Sequence, residues 1–86
     1  MNVVFHRNFE KHYPTLKESE KERFKERRDI FLQDEFSPIL HNHPLKGKYK
    51  GYRSIDVTGD LRAVYRWLSR DTVIFVEIDT HSNLYS

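Results

Sequence analysis

Residues 49–78 read YKGYRSIDVTGDLRAVYRWLSRDTVIFVEI. Three segments of alternating or continuous apolar character are punctuated here by turn residues, which predicts three strands in succession. In residues 49–57, Arg53, Ile55 and Val57 share one face, and Ser54 and Asp56 point the other way. Thr58-Gly59-Asp60 is a turn signal. Residues 61–68 alternate again, with Leu61, Ala63, Tyr65 and Trp67 on one face and Arg62, Val64, Arg66 and Leu68 on the other. Ser69-Arg70-Asp71 turns the chain back. Residues 72–78 are the most apolar run and predict a central strand.

Toward the N-terminus the pattern changes. Residues 2–6 are β-branched and aromatic enough for a short strand. Asn8 is a candidate cap for a first helix carrying Phe9, His12, Tyr13 and Leu16, which Pro14 should break. A second helix is expected from Glu18 to about Asp34. Phe24, Phe31 and Phe36, with Ile30 and Leu32, would form its buried stripe. Glu18–Lys21, Glu20–Arg23 and Glu22–Lys25 are opposite charges at i,i+3 on a solvated face. Pro38 and Pro44 bracket a connector. The order β-α-α-β-β-β predicts an α+β fold, with two N-terminal helices packed on one face of a mostly antiparallel four-stranded sheet. No helix remains for the other face, so that face should be open.

Composition bounds the function. At 86 residues the chain is expected to be one domain, residues 1–86. Its hydrophobic share of 37% is low, so the core should be thin and a partner should cover part of the surface. There are no cysteines, which removes disulfides and thiolate metal sites. No apolar run is long enough for a signal peptide or a membrane span, so a cytoplasmic protein without membrane contact is expected.

The charge is segregated at one place. No acidic residue occurs between Glu35 and Asp56, where His41, His43, Lys46, Lys48, Lys50 and Arg53 lie among tyrosines. Such a surface suits a polyanion whose bases can stack. The three lysines alternate. They would line one side of an extended chain, either as phosphate contacts or as a charged edge that blocks aggregation. His41 or His43, in the connector, can converge with His81 if the last strand and the connector meet at one edge. Two imidazoles flanking a phosphate can act as general base and general acid in RNA cleavage, with Arg62, or behind it Arg53, as the charge clamp. His41 and His43 with Asp56 or Asp60 are a weaker alternative, a nitrogen/oxygen metal site. Tyr85 is either a core plug or an exposed stacking ring. No phosphate-cradling glycine loop or serine-nucleophile motif occurs.

Several ordered motifs together resemble the RelE/ParE superfamily of bacterial toxins, and especially its YafQ-like branch. They are His43-Pro44-Leu45-Lys46-Gly47, Gly51-Tyr52-Arg53-Ser54, Gly59-Asp60-Leu61-Arg62-Ala63-Val64-Tyr65 and Thr80-His81-Ser82-Asn83-Leu84-Tyr85. The likeness is close over the C-terminal half and follows pattern only in the N-terminal β-α-α. The resemblance implies a RelE-like fold and the toxin of a type II toxin–antitoxin pair. It implies a metal-independent endoribonuclease that cuts messenger RNA in the ribosomal A site, needs no cofactor, and is wrapped by a cognate antitoxin in a hetero-oligomer. Carried over by position, His43, Asp60, Arg62, His81 and Tyr85 match the family's catalytic set. His81 then stands as general acid, Arg62 as clamp and His43 as base. His41, Lys46, Lys48, Lys50, Arg53 and Asp56 are the RNA-contact candidates. Asp56 stands where some members have a histidine, Leu61 where many have a tryptophan, Asp79 where a glycine precedes Thr-His, and Glu77 where some have a late arginine. Two alternatives remain open: a ParE-like gyrase inhibitor, which needs no acid–base pair, and a nuclease-dead module that binds its antitoxin.

Overall fold

The computed structural model describes residues 1–85. Strand β1 (Asn2–Phe5) leads into a short helix α1 (Arg7–His12), and a 3-10 turn at Tyr13–Thr15 precedes the long helix α2 (Glu18–Gln33). A connector carries a two-residue strand β2 (His43–Pro44). Strands β3 (Arg53–Asp56), β4 (Leu61–Ser69) and β5 (Thr72–Thr80) follow, and a single helical turn α3 (His81–Leu84) closes the chain.

The sheet has five strands in the order β1-β5-β4-β3-β2, not four, and it is mixed. β2 adds an antiparallel edge to β3. β1 lies parallel to β5, with Val3 opposite Val73 and Phe5 opposite Phe75. A parallel edge needs a long crossover, and the α1–α2 excursion together with β2–β4 supplies it. The α+β class stands, but only α2 is a long helix.

Several local expectations hold. The break falls at Pro14, inside the 3-10 turn. The Glu18–Lys21 and Glu22–Lys25 pairs form, at 3.4 and 3.7 Å. Other details differ. Helix α1 begins one residue before Asn8, so the His6 ring caps it, with Nδ1 accepting the Asn8 N–H at 3.0 Å. Glu20 turns back to accept the Lys17 N–H at 2.9 Å, in place of an ion pair with Arg23. Phe24 and Phe31, seven residues apart, do form the buried stripe of α2, but Leu32 and Phe36 are exposed. Leu32 is turned about 100° from Phe31 around the helix. Phe36 lies past the helix end, where the Arg53 guanidinium stacks on it at 5.2 Å.

The principal core lies between the helices and the sheet. Phe75 sits at its centre, with ring centroids of Phe24, Phe31 and Tyr65 within 5.6 Å. A bulge in β5 makes this possible. Val64 faces Glu77, yet the next residue, Tyr65, faces Phe75, so Val76 is an extra residue. Strict alternation from Val73 and Phe75 would bring Glu77 into the core. The bulge brings Ile78 there instead, 1% exposed.

The opposite face is not open, contrary to the sequence expectation. Leu45, Val64 and Leu84 form a second buried cluster, with Tyr49, Tyr52 and Val76 against it. The chain from Leu45 to Tyr52 does not extend as a strand. It loops over the sheet through a 3-10 turn (Gly47–Tyr49), and β3 begins only at Arg53. Gly47 (φ 65°) and Gly51 (φ 92°) supply the left-handed backbone at the two ends of that excursion. Lys46, Lys48 and Lys50 therefore do not alternate along an extended strand. No helix among the described residues is long and apolar enough to cross a membrane.

A polar network pins the connector to β4. The Tyr65 hydroxyl donates to Glu35 Oε2 at 2.5 Å, and Trp67 Nε1 donates to the same oxygen at 3.0 Å. Asn42 Nδ2 donates to the Tyr65 hydroxyl at 2.7 Å and to the Glu35 carbonyl at 3.0 Å. Arg53 Nε donates to Asn42 Oδ1 at 2.7 Å. Burial, followed by the hydrogen bond to Glu35, pushes the Tyr65 phenol far above its ordinary range.

Two outcomes follow from this packing. Phe75→Ala should lose about 3–5 kcal/mol. In a urea melt that loss would leave little folded protein, since small domains hold only about 5–15 kcal/mol. The raised Tyr65 phenol contributes stability that is fully present below about pH 10, its unfolded value. That contribution is lost as pH climbs toward the folded value. Alkaline unfolding followed by circular dichroism should show this loss in the wild type, and Tyr65→Phe should flatten it.

Candidate active site

The face away from α2 carries two rows of cross-strand partners. One row is His43, Ser54, Val64 and Glu77, and the other is Asp56, Arg62 and Asp79. Residues within a row stand on strands about 4.8 Å apart. These residues share one face of β2, β3, β4 and β5, with His43 and Arg62 two strands apart.

Arg62 is the most constrained of them. Its Nε lies 2.9 Å from Asp56 Oδ1 in an ion pair. Its Nη1 donates to the carbonyls of Thr58, Gly59 and Leu61 at 3.0, 3.2 and 3.3 Å. These bonds hold the guanidinium over the turn between β3 and β4. Asp56 turns its other oxygen to His41 Nδ1, 2.8 Å away. Both Asp56 oxygens therefore have partners within the protein.

The two histidines of the connector are set by their partners. His43 Nδ1 lies 2.8 Å from the His41 carbonyl, which can only accept, so Nδ1 carries the hydrogen. Neutral His43 then presents an unprotonated Nε2 on an exposed side chain, the form a general base needs. By the same reasoning His41 donates through Nδ1 to Asp56. Asn42, which motif reading passes over, anchors both histidines through Glu35, Tyr65 and Arg53. Its signal in the sequence is slight: an amide between two histidines, after a run with no partner of its own.

His81 opens α3, whose cap is the Thr80 hydroxyl, accepting the Asn83 N–H at 3.2 Å. The His81 backbone N–H donates to the Asp60 carbonyl at 2.9 Å, which ties this histidine to the turn that holds Arg62. Asp60 takes part through its backbone, and its side chain is exposed. The Tyr85 ring lies against the imidazole of His81, with centroids 4.6 Å apart. Tyr85 is 42% exposed, whereas its neighbour Leu84 is 3% exposed and is the residue that plugs the core.

The basic residues divide among three places. Lys46 and Lys48 line a cavity of about 300 Å³ together with Tyr49 and Tyr85, and Lys48 lies 5.3 Å from the Tyr49 ring centre. Burial first, then the carboxylates of Glu77 and Asp79, push the Tyr49 phenol above its usual range, so it stays protonated and able to donate. Lys50 ends the 3-10 turn without lining that cavity. Arg53 lies on the helix side of the sheet, held by Asn42 and Phe36, away from Arg62. His12 pairs with Glu77 at 2.6 Å, which occupies that carboxylate. The face thus offers a fixed guanidinium, an imidazole with a free Nε2 and a second imidazole beside an aromatic ring, groups of the kinds that bind phosphate and transfer protons.

Known proteins share this fold. A family described as "Bacterial toxin of type II toxin-antitoxin system, YafQ" matches residues 1–86. No curated protein matches. Among solved structures, YafQ from E. coli is similar at 20% identity and a TM-score of 0.81, over 99% of this chain and 98% of that one. A YoeB/ParE toxin from Agrobacterium tumefaciens is similar at 22% identity and a TM-score of 0.78, over 94% and 99%. The toxin in the E. coli DinJ–YafQ complex is similar at 21% identity and a TM-score of 0.78, over 99% and 97%. The chain belongs to the YafQ family of bacterial toxins of type II toxin–antitoxin systems.

Proposed function

We propose that this toxin is a metal-independent endoribonuclease that cleaves messenger RNA in the ribosomal A site. The observation that carries the reading is the hydrogen bond from His43 Nδ1 to the His41 carbonyl, which leaves Nε2 as a base on the same face as a guanidinium fixed by Asp56. In this reaction His43 Nε2 takes the proton of a 2′-hydroxyl. The 2′-oxygen forms a bond to the adjacent phosphorus, and the bond from phosphorus to the 5′-oxygen breaks. Protonated His81 gives its proton to that leaving oxygen, and a 2′,3′-cyclic phosphate and a 5′-hydroxyl end result. Arg62 stabilises the charge that builds on the phosphate, in a geometry set before substrate arrives. Tyr85 stacks on a base beside His81, and Lys46, Lys48 and Lys50 contact the backbone on either side.

E. coli YafQ is found in complex with DinJ. By that likeness, a cognate antitoxin covers the basic face of this toxin and blocks substrate entry.

Messenger RNA 5′ ends mapped in a reconstituted translation reaction test the reading. New ends should appear with the wild-type protein and fall by about 10²- to 10⁴-fold with His81→Ala or His43→Ala. Ends that form without ribosomes would keep the nuclease and remove the A site from the mechanism. A folded protein that produces no new ends would sink the nuclease reading, and gyrase supercoiling would then test the ParE-like alternative.

A further inference from the structure

The reaction above makes no use of a cavity at the rim of the site, between α2 and the turn that follows β3. It encloses about 220 Å³ and is lined by Arg23, Arg27, Ile39, His41, Asp56 and the 57–59 backbone. Arg23 and Arg27 lie four residues apart, on one face of α2. Arg27 Nε and Nη1 are buried and make no hydrogen bond among the described residues. A guanidinium is permanently charged and carries five donors, so burying two of them unpaired is unfavourable. Asp56, the only carboxylate among the described residues that line the cavity, is already taken up by Arg62 and His41. The charge left over at the cavity is positive, which suits an anion.

We propose that this cavity is a second phosphate subsite, which holds a backbone phosphodiester of the RNA strand next to the one being cut. The inference rests on the RNA-cleavage reading. Two features favour a phosphodiester over a protein carboxylate. Two guanidiniums and one imidazole converge here, and a single carboxylate is satisfied by one guanidinium fork, whereas a phosphate offers more acceptor directions. The cavity is also continuous with the catalytic face, because Asp56 joins His41 at its wall to Arg62 on the sheet. A strand lying across Arg62 reaches the cavity over that bridge. In this arrangement His41, which the reaction does not use, is a binding residue for the neighbouring nucleotide.

The test is binding of an RNA octamer with every 2′-oxygen methylated, which cannot be cut, to the ¹⁵N-labelled full chain. The Arg27 Nε–Hε signal, assigned by its loss in Arg27→Lys, should move on titration. Arg27→Lys and Arg23→Gln should each weaken binding about tenfold, the scale of one charge-assisted contact. Arg23→Gln, which removes a charge, should also reduce the slope of log K against log salt by about 0.7, whereas Arg27→Lys keeps its charge and loses only the guanidinium contact. Arg23 is exposed, so Arg23→Gln carries the test should Arg27→Lys fail to fold. An octamer that binds with the Arg27 signal unmoved and with the wild-type salt slope in Arg23→Gln would overturn the subsite. A signal that moves with a glutamate-rich peptide and not with the octamer would also overturn it and give the cavity to a protein partner. Binding through Arg27 by a protein that cuts no messenger RNA would support the subsite while the cleavage reading fell. Undiminished cleavage and binding in both variants would do the reverse.

Discussion

Tyr65 joins the two halves of this molecule. Its ring belongs to the aromatic core, edge-on to Phe31 at 4.8 Å and tilted against Phe75 at 5.6 Å. Its hydroxyl leaves that core to meet Glu35 and Asn42. A buried phenol requires a partner. The one it finds fixes the connector that carries His41 and His43. The apolar packing of a thin core thereby sets the position of two imidazoles that contribute nothing to that core.

The site works by a similar economy of fixed parts. Arg62 spends Nε and Nη1 on internal bonds, and Asp56 spends both oxygens. What is lost in donors for a ligand is gained in fixed orientation, which is what electrostatic stabilisation of a developing charge requires. The acidic residues near the site, Asp56, Glu77 and Asp79, do not simply repel an anion. Asp56 holds Arg62 and His41, Glu77 holds His12, and Asp79 accepts the Thr80 N–H at 2.8 Å and the Asn83 amide at 2.9 Å. Each carboxylate is paired with or hydrogen-bonded to the groups it positions.

Much of the fold was legible in residue pattern. The α2 stripe of Phe24 and Phe31, the break at Pro14, the β4–β5 hairpin and the core face of Leu61, Ala63 and Tyr65 follow from periodicity and turn chemistry, which act over a few residues. The family motifs placed His43, Arg62 and His81 as candidates before any geometry was known. Three things were not legible. The two-residue strand β2 has no periodicity to read. The 45–52 excursion over the outer face depends on two glycines that also suit an ordinary strand end. The Val76 bulge is invisible because Val73 to Ile78 reads as one apolar run.

The sequence by itself determined the class of fold, the family and the residue types available for chemistry, because these rest on local propensity, spacing and ordered motifs. Only the tertiary structure decided which of those residues meet. Sheet order brings β2 and the end of β5 to the same face as Arg62. It sends Arg53 to the other face, because alternation along β3 puts Arg53 with Ile55 and not with Asp56. Folding also left Nε and Nη1 of Arg27 buried without a hydrogen bond among the described residues. Pairing across strands and burial depend on distant parts of the chain, and no local pattern encodes them.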